Sequence, residues 1–291
     1  MKNYYTISSQ NLNIRISDHG AELSSVIDYS SQFQFIWQAK NDIWARHAPV
    51  LFPIVGKLNQ NKIQINQQEF TLNQHGFARD FLFEPIEIYS NLIRFMLESS
   101  LETKAFYPYD FKFFICYEVI QHMLKITYSI LNTGDQKMYY SVGAHPGFNL
   151  PVPDLNAYQI IFEKEEVDQR CLLIDGLLSG KVEPIAFPNK TLPLNKDLFQ
   201  KDAIVLKSFK SNWIKLVQTD SKFSILMECE GFPYMGIWSK AGCEEFICLE
   251  PWQGIADHVG FEGDISEKEG ILCADPGKEI SFHYTIHFTA P

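Results

Sequence analysis

The chain has 291 residues, 46% of them hydrophobic and 21% charged, which is typical of a globular protein with a large core. Its formal net charge of −10 repels a phosphate backbone, so we expect no nucleic-acid partner. No apolar run approaches the roughly 20 residues of a membrane span. The first residues also lack the apolar region of a signal peptide, so we expect a cytoplasmic protein without membrane contact.

Short segments of alternating hydrophobic and polar residues follow one another along the whole chain. The first, "NLNIRISD", alternates Leu12, Ile14 and Ile16 with polar neighbours. The same pattern recurs in "KIQINQQEFTL", "NLIRFMLES", "FKFFICYEVI", "MLKITYSIL", "AYQIIFEKE", "WIKLVQT", "FSILMECE", "FICLEPW" and "EISFHYTIHF". A period of two residues that restarts after every group of turn residues predicts antiparallel β structure.

Helical patterns are sparse. "ETKAFYPYD" predicts one helical turn that Pro108 ends, and "NKDLFQKD" predicts a second short helix. The stretch 176–201 carries three prolines and reads as a long surface excursion. There is no alternation of strands with helices and no glycine-rich phosphate loop. We therefore predict an all-β fold, a large sandwich of two antiparallel sheets that spans residues 1–291 as a single domain.

The six cysteines give no sign of a metal site. None are spaced as CxxC, and the histidines show neither HxH nor HExxH spacing. We expect free thiols that pack mostly as small core residues, and no bound metal.

The stretch "FICLEPWQG" places Glu250 at the end of a buried apolar run. A carboxylate in that setting is costly unless it is paired or has a chemical role, and burial raises its pKa toward the range of a general base. The structural alternative is a glutamate at the rim of the core, held in an ion pair.

Two histidines lie in turns that follow predicted strands. His145 stands between glycines and prolines in "SVGAHPGFNLP", and His75 precedes a glycine in "NQHGFARD", near Arg79. Each is either a structural histidine or a group that moves protons. Together with Glu250 they would supply an acid, a base and a positioning group near neutral pH. No GxSxG motif accompanies them, so the set favours proton transfer over acyl transfer.

Five motifs in this order resemble the galactose mutarotases, or aldose 1-epimerases, and most closely their bacterial LacX-like branch. They are "LFPIVGKL", "HGFARD", "GAHPGFN", "FPYMGIWS" and "ICLEPWQGIAD", and the resemblance covers essentially the whole chain. It implies a β-supersandwich with a sugar site, and an isomerase that interconverts α and β anomers of a free aldose without cofactors.

The resemblance also implies roles for individual residues. Glu250 matches the base that takes the proton from the anomeric hydroxyl, and His145 matches the acid that protonates the ring oxygen. His75 matches the histidine that holds and polarises the substrate. The resemblance also implies substrate-binding roles for Lys57 and Asp202. Independently of it, Arg79 can present its guanidinium to hydroxyls or to a phosphate, and Trp238 and Trp252 either stack on the sugar or belong to the core.

This chain departs from the family pattern at two places. Lys57 stands where many mutarotases carry an arginine. A lysine ammonium can bind a hydroxyl as a point charge, but it cannot form the two parallel hydrogen bonds of a guanidinium. "GAHPGFNL" replaces the usual "NHSYFNL", which remodels one side of the expected pocket. Both departures bear on substrate preference more than on reaction type.

Several alternatives stay open at this stage. A hexose-6-phosphate substrate would need a basic cluster, for which Lys57, Arg79 and Arg46 are candidates. A carbohydrate-binding protein without turnover would keep the fold and the ligand. A glycoside hydrolase or lyase would need a second carboxylate, Asp202 or Asp257. The expected partner is a small-molecule sugar, a hexose or a hexose phosphate, bound by a monomer or a homodimer; a glycoside hydrolase would act on an oligosaccharide instead.

Overall fold

The structure, a computed structural model, describes residues 2–291 and is built largely from β-strands. The strands of this part of the chain, numbered in order, are β1 (Tyr4–Ser8), β2 (Leu12–Ser17), β3 (Leu23–Asp28), β4 (Val50–Leu51), β5 (Lys62–Ile65), β6 (Gln68–Thr71), β7 (Glu84–Ile88), β8 (Leu92–Glu98), β9 (Phe111–Ile120), β10 (Met123–Asn132), β11 (Met138–Tyr140), β12 (Val142–Ala144), β13 (Gly147–Asn149), β14 (Tyr158–Phe162), β15 (Gln169–Ile174), β16 (Leu177–Pro184), β17 (Thr191–Pro193), β18 (Ile204–Lys207), β19 (Trp213–Gln218), β20 (Ser224–Glu228), β21 (Tyr234–Trp238), β22 (Phe246–Gln253), β23 (Leu272–Ala274) and β24 (Glu279–Thr289).

Helical structure is confined to short turns. The α-helix α1 (Leu101–Lys104) starts at a capping box on Ser100 and ends before Pro108, which confirms the predicted single turn. Turns of 3-10 helix cover Asn59–Asn61, Ala78–Asp80, Leu155–Ala157, Pro188–Lys190 and Ile265–Glu267. No helix among residues 2–291 is long and apolar enough to cross a membrane.

Two large antiparallel sheets form the body of the molecule, which confirms the predicted all-β fold. One has nine strands in the order β17-β14-β19-β20-β24-β10-β9-β8-β7. The other has eight, in the order β16-β15-β18-β21-β22-β12-β4 with β13 also paired to β22. Smaller sheets are formed by the three strands β1-β2-β3 and by the pairs β5-β6 and β11-β23.

The alternating sequence pattern builds the core between these sheets. Along β9 every second residue from Phe111 to Val119 is buried, as the period of two predicts. Phe113 of β9 packs on Phe52, next to β4, with ring centroids 4.7 Å apart. The main core therefore joins the nine-stranded sheet to the eight-stranded one.

Strand β22 is buried on both faces. Ile247 and Leu249 point into the main core, whereas Cys248, Glu250 and Trp252 lie on the opposite face. A strand that is buried on both faces has a nearly continuous apolar sequence. Glu250 is the single carboxylate of this strand, and its side chain faces the interior of the protein rather than solvent.

Glycines on the two neighbouring strands make room for the Trp252 ring. Gly236 of β21 pairs with Glu250, and Gly143 of β12 pairs with Trp252. A Cβ at Gly236 would lie 2.5 Å from the indole, and one at Gly143 would lie 2.7 Å from it. The packing of Trp252 therefore requires glycine at both positions, Gly236 in "YMGIW" and Gly143 in "VGAHP".

Two local predictions were wrong. "NKDLFQKD" forms hydrogen-bonded turns rather than a helix, because the Asn195 side chain accepts the Asp197 N–H and favours a turn. The stretch 176–201 is not a surface excursion but contains β16 and β17, edge strands of the two large sheets. Pro184 and Pro193 are the last residues of these strands, where a missing N–H is tolerated.

All six cysteines are free, as predicted. Cys171, Cys229 and Cys248 are buried, while Cys273 is exposed. Half of the thiols therefore pack as core residues, fewer than the sequence suggested.

Candidate active site

One pocket of about 400 Å³ opens on the face of the eight-stranded sheet that lies opposite the main core. It contains every site residue expected from the sequence except Lys57. Its polar lining is Gln74, His75, Arg79, His145, Asp202 and Glu250. Its other walls are Trp44, Gly56, Leu173, Gly176, Leu178, Ala203, Val205, Trp238, Trp252, Ile255 and Ala256. The volume suits one small ligand.

Glu250 forms the floor of this pocket. Its side chain is 2% exposed and projects from the middle of β22 across Gly236. Burial raises the pKa of Glu250 well above its usual range, and the nearby charge of Asp202 adds to the rise. A carboxyl group in this setting keeps its proton to a higher pH than one at the surface.

His145 lies in the link between β12 and β13, directly beside Glu250. Its Nε2 is 3.2 Å from Glu250 Oε2. One face of its ring stacks on Trp44 with centroids 4.9 Å apart, and Trp238 meets it edge-on at 5.7 Å. Burial lowers the pKa of His145, and the charge of Arg79 lowers it further. Burial therefore favours the neutral forms of both partners, an imidazole with one N–H and a protonated carboxyl group.

His75 is held by the backbone of the "VGKL" motif. Its N–H donates to the Gly56 carbonyl at 2.8 Å, and the Gly56 N–H donates to His75 Nδ1 at 3.1 Å. Because Nδ1 accepts, the ring proton belongs on Nε2, which lies 3.3 Å from the Gln74 side-chain amide and can donate to it or to a ligand. Burial lowers the pKa of His75 well below its usual value, with His145 as the next cause, so the ring stays neutral.

The motifs "LFPIVGKL" and "HGFARD" pack directly against each other. Phe77 and Ala78 both donate their N–H groups to the Phe52 carbonyl. Gly76, at φ +71°, passes so close to Phe52 that a Cβ would lie 2.2 Å from that carbonyl oxygen. This contact fixes the backbone of His75, which itself adopts φ +68°.

Arg79 is the only lysine or arginine that lines the pocket. Its Nη2 donates to the Gln74 carbonyl at 2.6 Å, and its Nε is 3.9 Å from Asp80. Burial lowers the pKa of Arg79 to about 10, and the charge of Arg46 acts in the same direction. The Asp80 carboxylate is itself bonded to Arg46 at 2.8 Å, so the charge of Arg79 is only partly balanced.

Four buried polar atoms of this pocket have no hydrogen-bond partner in the structure. They are Arg79 Nε, His145 Nδ1, Glu250 Oε2 and Trp252 Nε1. Buried polar groups are nearly always paired, so a concentration of unpaired donors and acceptors points to a polar ligand. A molecule with several hydroxyl groups can donate and accept at each of them.

Three residues considered from the sequence lie outside the pocket lining. Lys57 donates its ammonium to the Asp175 carbonyl at 2.9 Å, at the turn that joins β15 to β16. Asp257 forms a buried ion pair with Lys268 at 2.8 Å, so it is no second catalytic carboxylate. Arg46 donates to the Asp80 carboxylate at 2.8 Å.

Sequence reasoning missed several lining residues. Gln74 could have been found, because it directly precedes His75 in the same motif. Trp44 had only an indirect signal, its place in the aromatic stretch before "RHAPVLFP". Leu173, Leu178 and Val205 carry no local signal, since nothing but the fold brings β15, β16 and β18 to this pocket.

The family model described as aldose 1-epimerase matches residues 3–272. The chain belongs to the aldose 1-epimerase family. It is 30% identical to the plasmid-encoded protein LacX of Lactococcus lactis subsp. lactis, over 96% of this chain and 98% of that protein. This confirms the resemblance drawn from the five motifs.

Two solved structures share nearly the whole fold. A galactose mutarotase related enzyme from Lactobacillus acidophilus superposes with a TM-score of 0.95 at 33% identity, covering 99% of this chain and 98% of that one. A galactose mutarotase-like protein from Lactobacillus casei gives 0.94 at 26% identity, covering 99% and 100%. Family and fold together support a sugar epimerase or mutarotase.

Proposed function

We propose that this protein interconverts the α and β anomers of an aldohexose by general acid–base ring opening and closure. The observation that carries the proposal is the buried contact of 3.2 Å between His145 Nε2 and Glu250 Oε2, at the floor of a sugar-sized pocket. Ring opening removes one proton from the anomeric hydroxyl and adds one to the ring oxygen. Two adjacent side chains, one that can accept a proton and one that can donate one, match this requirement.

Glu250 and His145 together account for both proton transfers. When Glu250 is ionised and His145 protonated, Glu250 takes the proton of the anomeric hydroxyl while His145 protonates the ring oxygen. The bond from C1 to the ring oxygen breaks and C1 becomes a carbonyl. Rotation about C1–C2 and the reverse transfers give the other anomer. Opening leaves both side chains neutral, the state that burial favours.

The remaining polar groups of the pocket would hold the sugar during this cycle. His75 Nε2–H donates to a hydroxyl group or to the carbonyl of the open chain, and Asp202 accepts from a hydroxyl. Trp238 and Trp252 offer apolar faces to the C–H groups of the ring. Arg79 contributes a donor at its unpaired Nε.

A hexose 6-phosphate is the second candidate substrate, because the charge of Arg79 is only partly balanced within the pocket. Lys57 and Arg46 do not strengthen this case, since Lys57 is bonded to the Asp175 carbonyl and Arg46 to Asp80. One cation gives weaker support for a phosphate than a cluster does. A neutral hexose is therefore the better-supported substrate.

Polarimetry on freshly dissolved α-glucose, α-galactose and glucose 6-phosphate tests the proposal. We expect the wild type to accelerate the decay of optical rotation, and Glu250→Gln to lose about 10²- to 10⁴-fold of that acceleration. The exposed Glu262→Gln serves as the matched control and should retain full activity. A folded wild type that accelerates none of the three sugars, yet binds one of them in calorimetry, would instead establish a sugar-binding protein without turnover.

A further inference from the structure

A thiol that the proposed proton transfer does not use lies behind the pocket lining, fully buried next to Trp37 and Phe246. Cys248 lies two residues before Glu250 on the same face of β22. Its Sγ, a ring nitrogen of His145 and a carboxylate oxygen of Glu250 all lie within 4.8 Å of one another. Imidazole, thiolate and carboxylate are the three side-chain ligands that proteins use for zinc.

The geometry of two of these groups already matches a shared metal ion. His145 Nε2 and Glu250 Oε2 are 3.2 Å apart, and Glu250 Oε2 accepts no hydrogen bond. Two ligands bonded at about 2.0–2.1 Å to one tetrahedral zinc ion stand about 3.3 Å from each other. With a Zn–S bond of about 2.3 Å, the sulfur of a tetrahedral site stands about 3.6 Å from the other ligand atoms. Cys248 Sγ lies within 4.8 Å of both, so a shift of about 1.2 Å brings it to the same ion.

The surroundings favour a soft divalent cation over a hard one. Asp202, whose charge acts on Glu250, adds negative charge to the pocket, while the charge of Arg79 opposes a cation there. Mg²⁺ and Ca²⁺ select sites made of oxygen ligands only, so one thiol and one imidazole discriminate against both.

We propose that His145, Cys248 and Glu250 bind one Zn²⁺ ion whose fourth position opens into the pocket. The Zn–S bond forms as the Cys248 thiol releases its proton to the buffer, while neutral His145 supplies the lone pair of Nε2. Glu250 binds as the carboxylate and releases any proton it carried. No electron transfer is involved.

The Zn²⁺ ion would be bound by His145 and Glu250, the same two side chains to which the proposed reaction assigns the proton transfers. If the proposed function holds, Zn²⁺ and sugar therefore exclude each other, and the metal acts as an inhibitor. This consequence rests on the proposed function, whereas the metal site itself does not.

Titration of the apoprotein with ZnCl₂ in a calorimeter, without sugar, tests the site. We compare the wild type with Cys248→Ala and use Cys171→Ala, another buried thiol, as the matched control. We expect one tight site in the wild type and in the control, and an affinity at least about 100-fold lower in Cys248→Ala. Co²⁺ should give a thiolate-to-metal charge-transfer band in the wild type that Cys248→Ala lacks.

Two results would overturn the metal site. One is equal Zn²⁺ affinity in the wild type and a folded Cys248→Ala variant, and the other is a Co²⁺ complex without the thiolate band. Should Cys248→Ala fail to fold, the smaller change Cys248→Ser replaces it, with the cobalt band as the readout. Because neither measurement uses a sugar, tight zinc binding by a protein without mutarotase activity would refute the proposed function and leave the metal site intact.

Discussion

The indole ring of Trp44 stacks on the imidazole of His145, with centroids 4.9 Å apart and planes inclined by 28°. The stack lies on the ring that touches Glu250, so it holds His145 in the position that the proposed proton transfer requires. An aromatic face also stabilises an adjacent cation by about 1–2 kcal/mol when water is excluded. Trp44 therefore favours the protonated form of His145, which burial opposes.

Replacing Trp44 by leucine should lower kcat about tenfold, because the protonated form of His145 loses this stabilisation. Trp44→Phe should keep most of the activity, since a smaller aromatic face remains. Steady-state polarimetry over a range of sugar concentrations separates kcat from KM. A change confined to KM in both variants would show that Trp44 contacts the sugar without acting on His145.

His75 should act through the proton on its Nε2. In His75→Gln the side-chain amide can place a donor near that position, whereas the shorter side chain of His75→Asn cannot. Asparagine tolerates the left-handed backbone that His75 adopts at φ +68°. We expect His75→Asn to lose about 10²-fold in kcat/KM and His75→Gln to lose distinctly less. Equal losses in the two folded variants would contradict a donor role.

The sequence predicted much of this site for reasons that are local. A buried strand interrupted by a single carboxylate identified Glu250, and glycine-flanked turns identified His75 and His145. That these three meet in space could not be derived from their patterns, because β22 pairs with β12 and β13 over about 100 residues of chain. The family resemblance supplied that step.

Other parts of the site could not be predicted from the sequence either, because they also depend on contacts between distant segments of the chain. The apolar wall formed by Leu173 and Val205 depends on which strands neighbour β21, and alternation alone does not specify strand order. The environment of Lys57 depends on the turn at Asp175, a contact across more than 100 residues.

Arg79 and Lys57 should differ in their effect on a phosphorylated substrate. Arg79→Gln removes the only cation of the pocket lining, so KM for glucose 6-phosphate should rise about tenfold more than KM for glucose. Lys57→Gln removes the bond to the turn at Asp175 and should change KM for both sugars alike. Polarimetry with the two substrates and both variants makes the comparison.

The opposite pattern, with a phosphate-specific defect in Lys57→Gln, would place Lys57 in the sugar site as the family resemblance implied. The lysine would then have to leave the Asp175 carbonyl when the ligand binds. Equal KM shifts for both sugars in Arg79→Gln would remove the case for a phosphorylated substrate.

Glu22 should make the stability of the loop that carries Trp44 depend on pH. Burial opposes ionisation of Glu22, but hydrogen bonds from His47 and from the Ala48 N–H outweigh it, and the pKa is lowered from 4.5. Because the folded pKa lies below the unfolded one, ionised Glu22 stabilises the fold above the unfolded pKa. This contribution is lost as the pH falls through the folded pKa.

Glu22→Gln should therefore lower the free energy of unfolding by about 1–3 kcal/mol at neutral pH, and by progressively less as the solution is acidified below about pH 4.5. Urea unfolding of the wild type and the variant across this range measures the difference, and the exposed Glu262→Gln provides the control. A difference that stays constant with pH would mean that shape and packing, rather than the charge of Glu22, hold the loop. If the charge does hold it, kcat of Glu22→Gln should fall in the same direction as kcat of Trp44→Leu, because both changes release His145 from its stack.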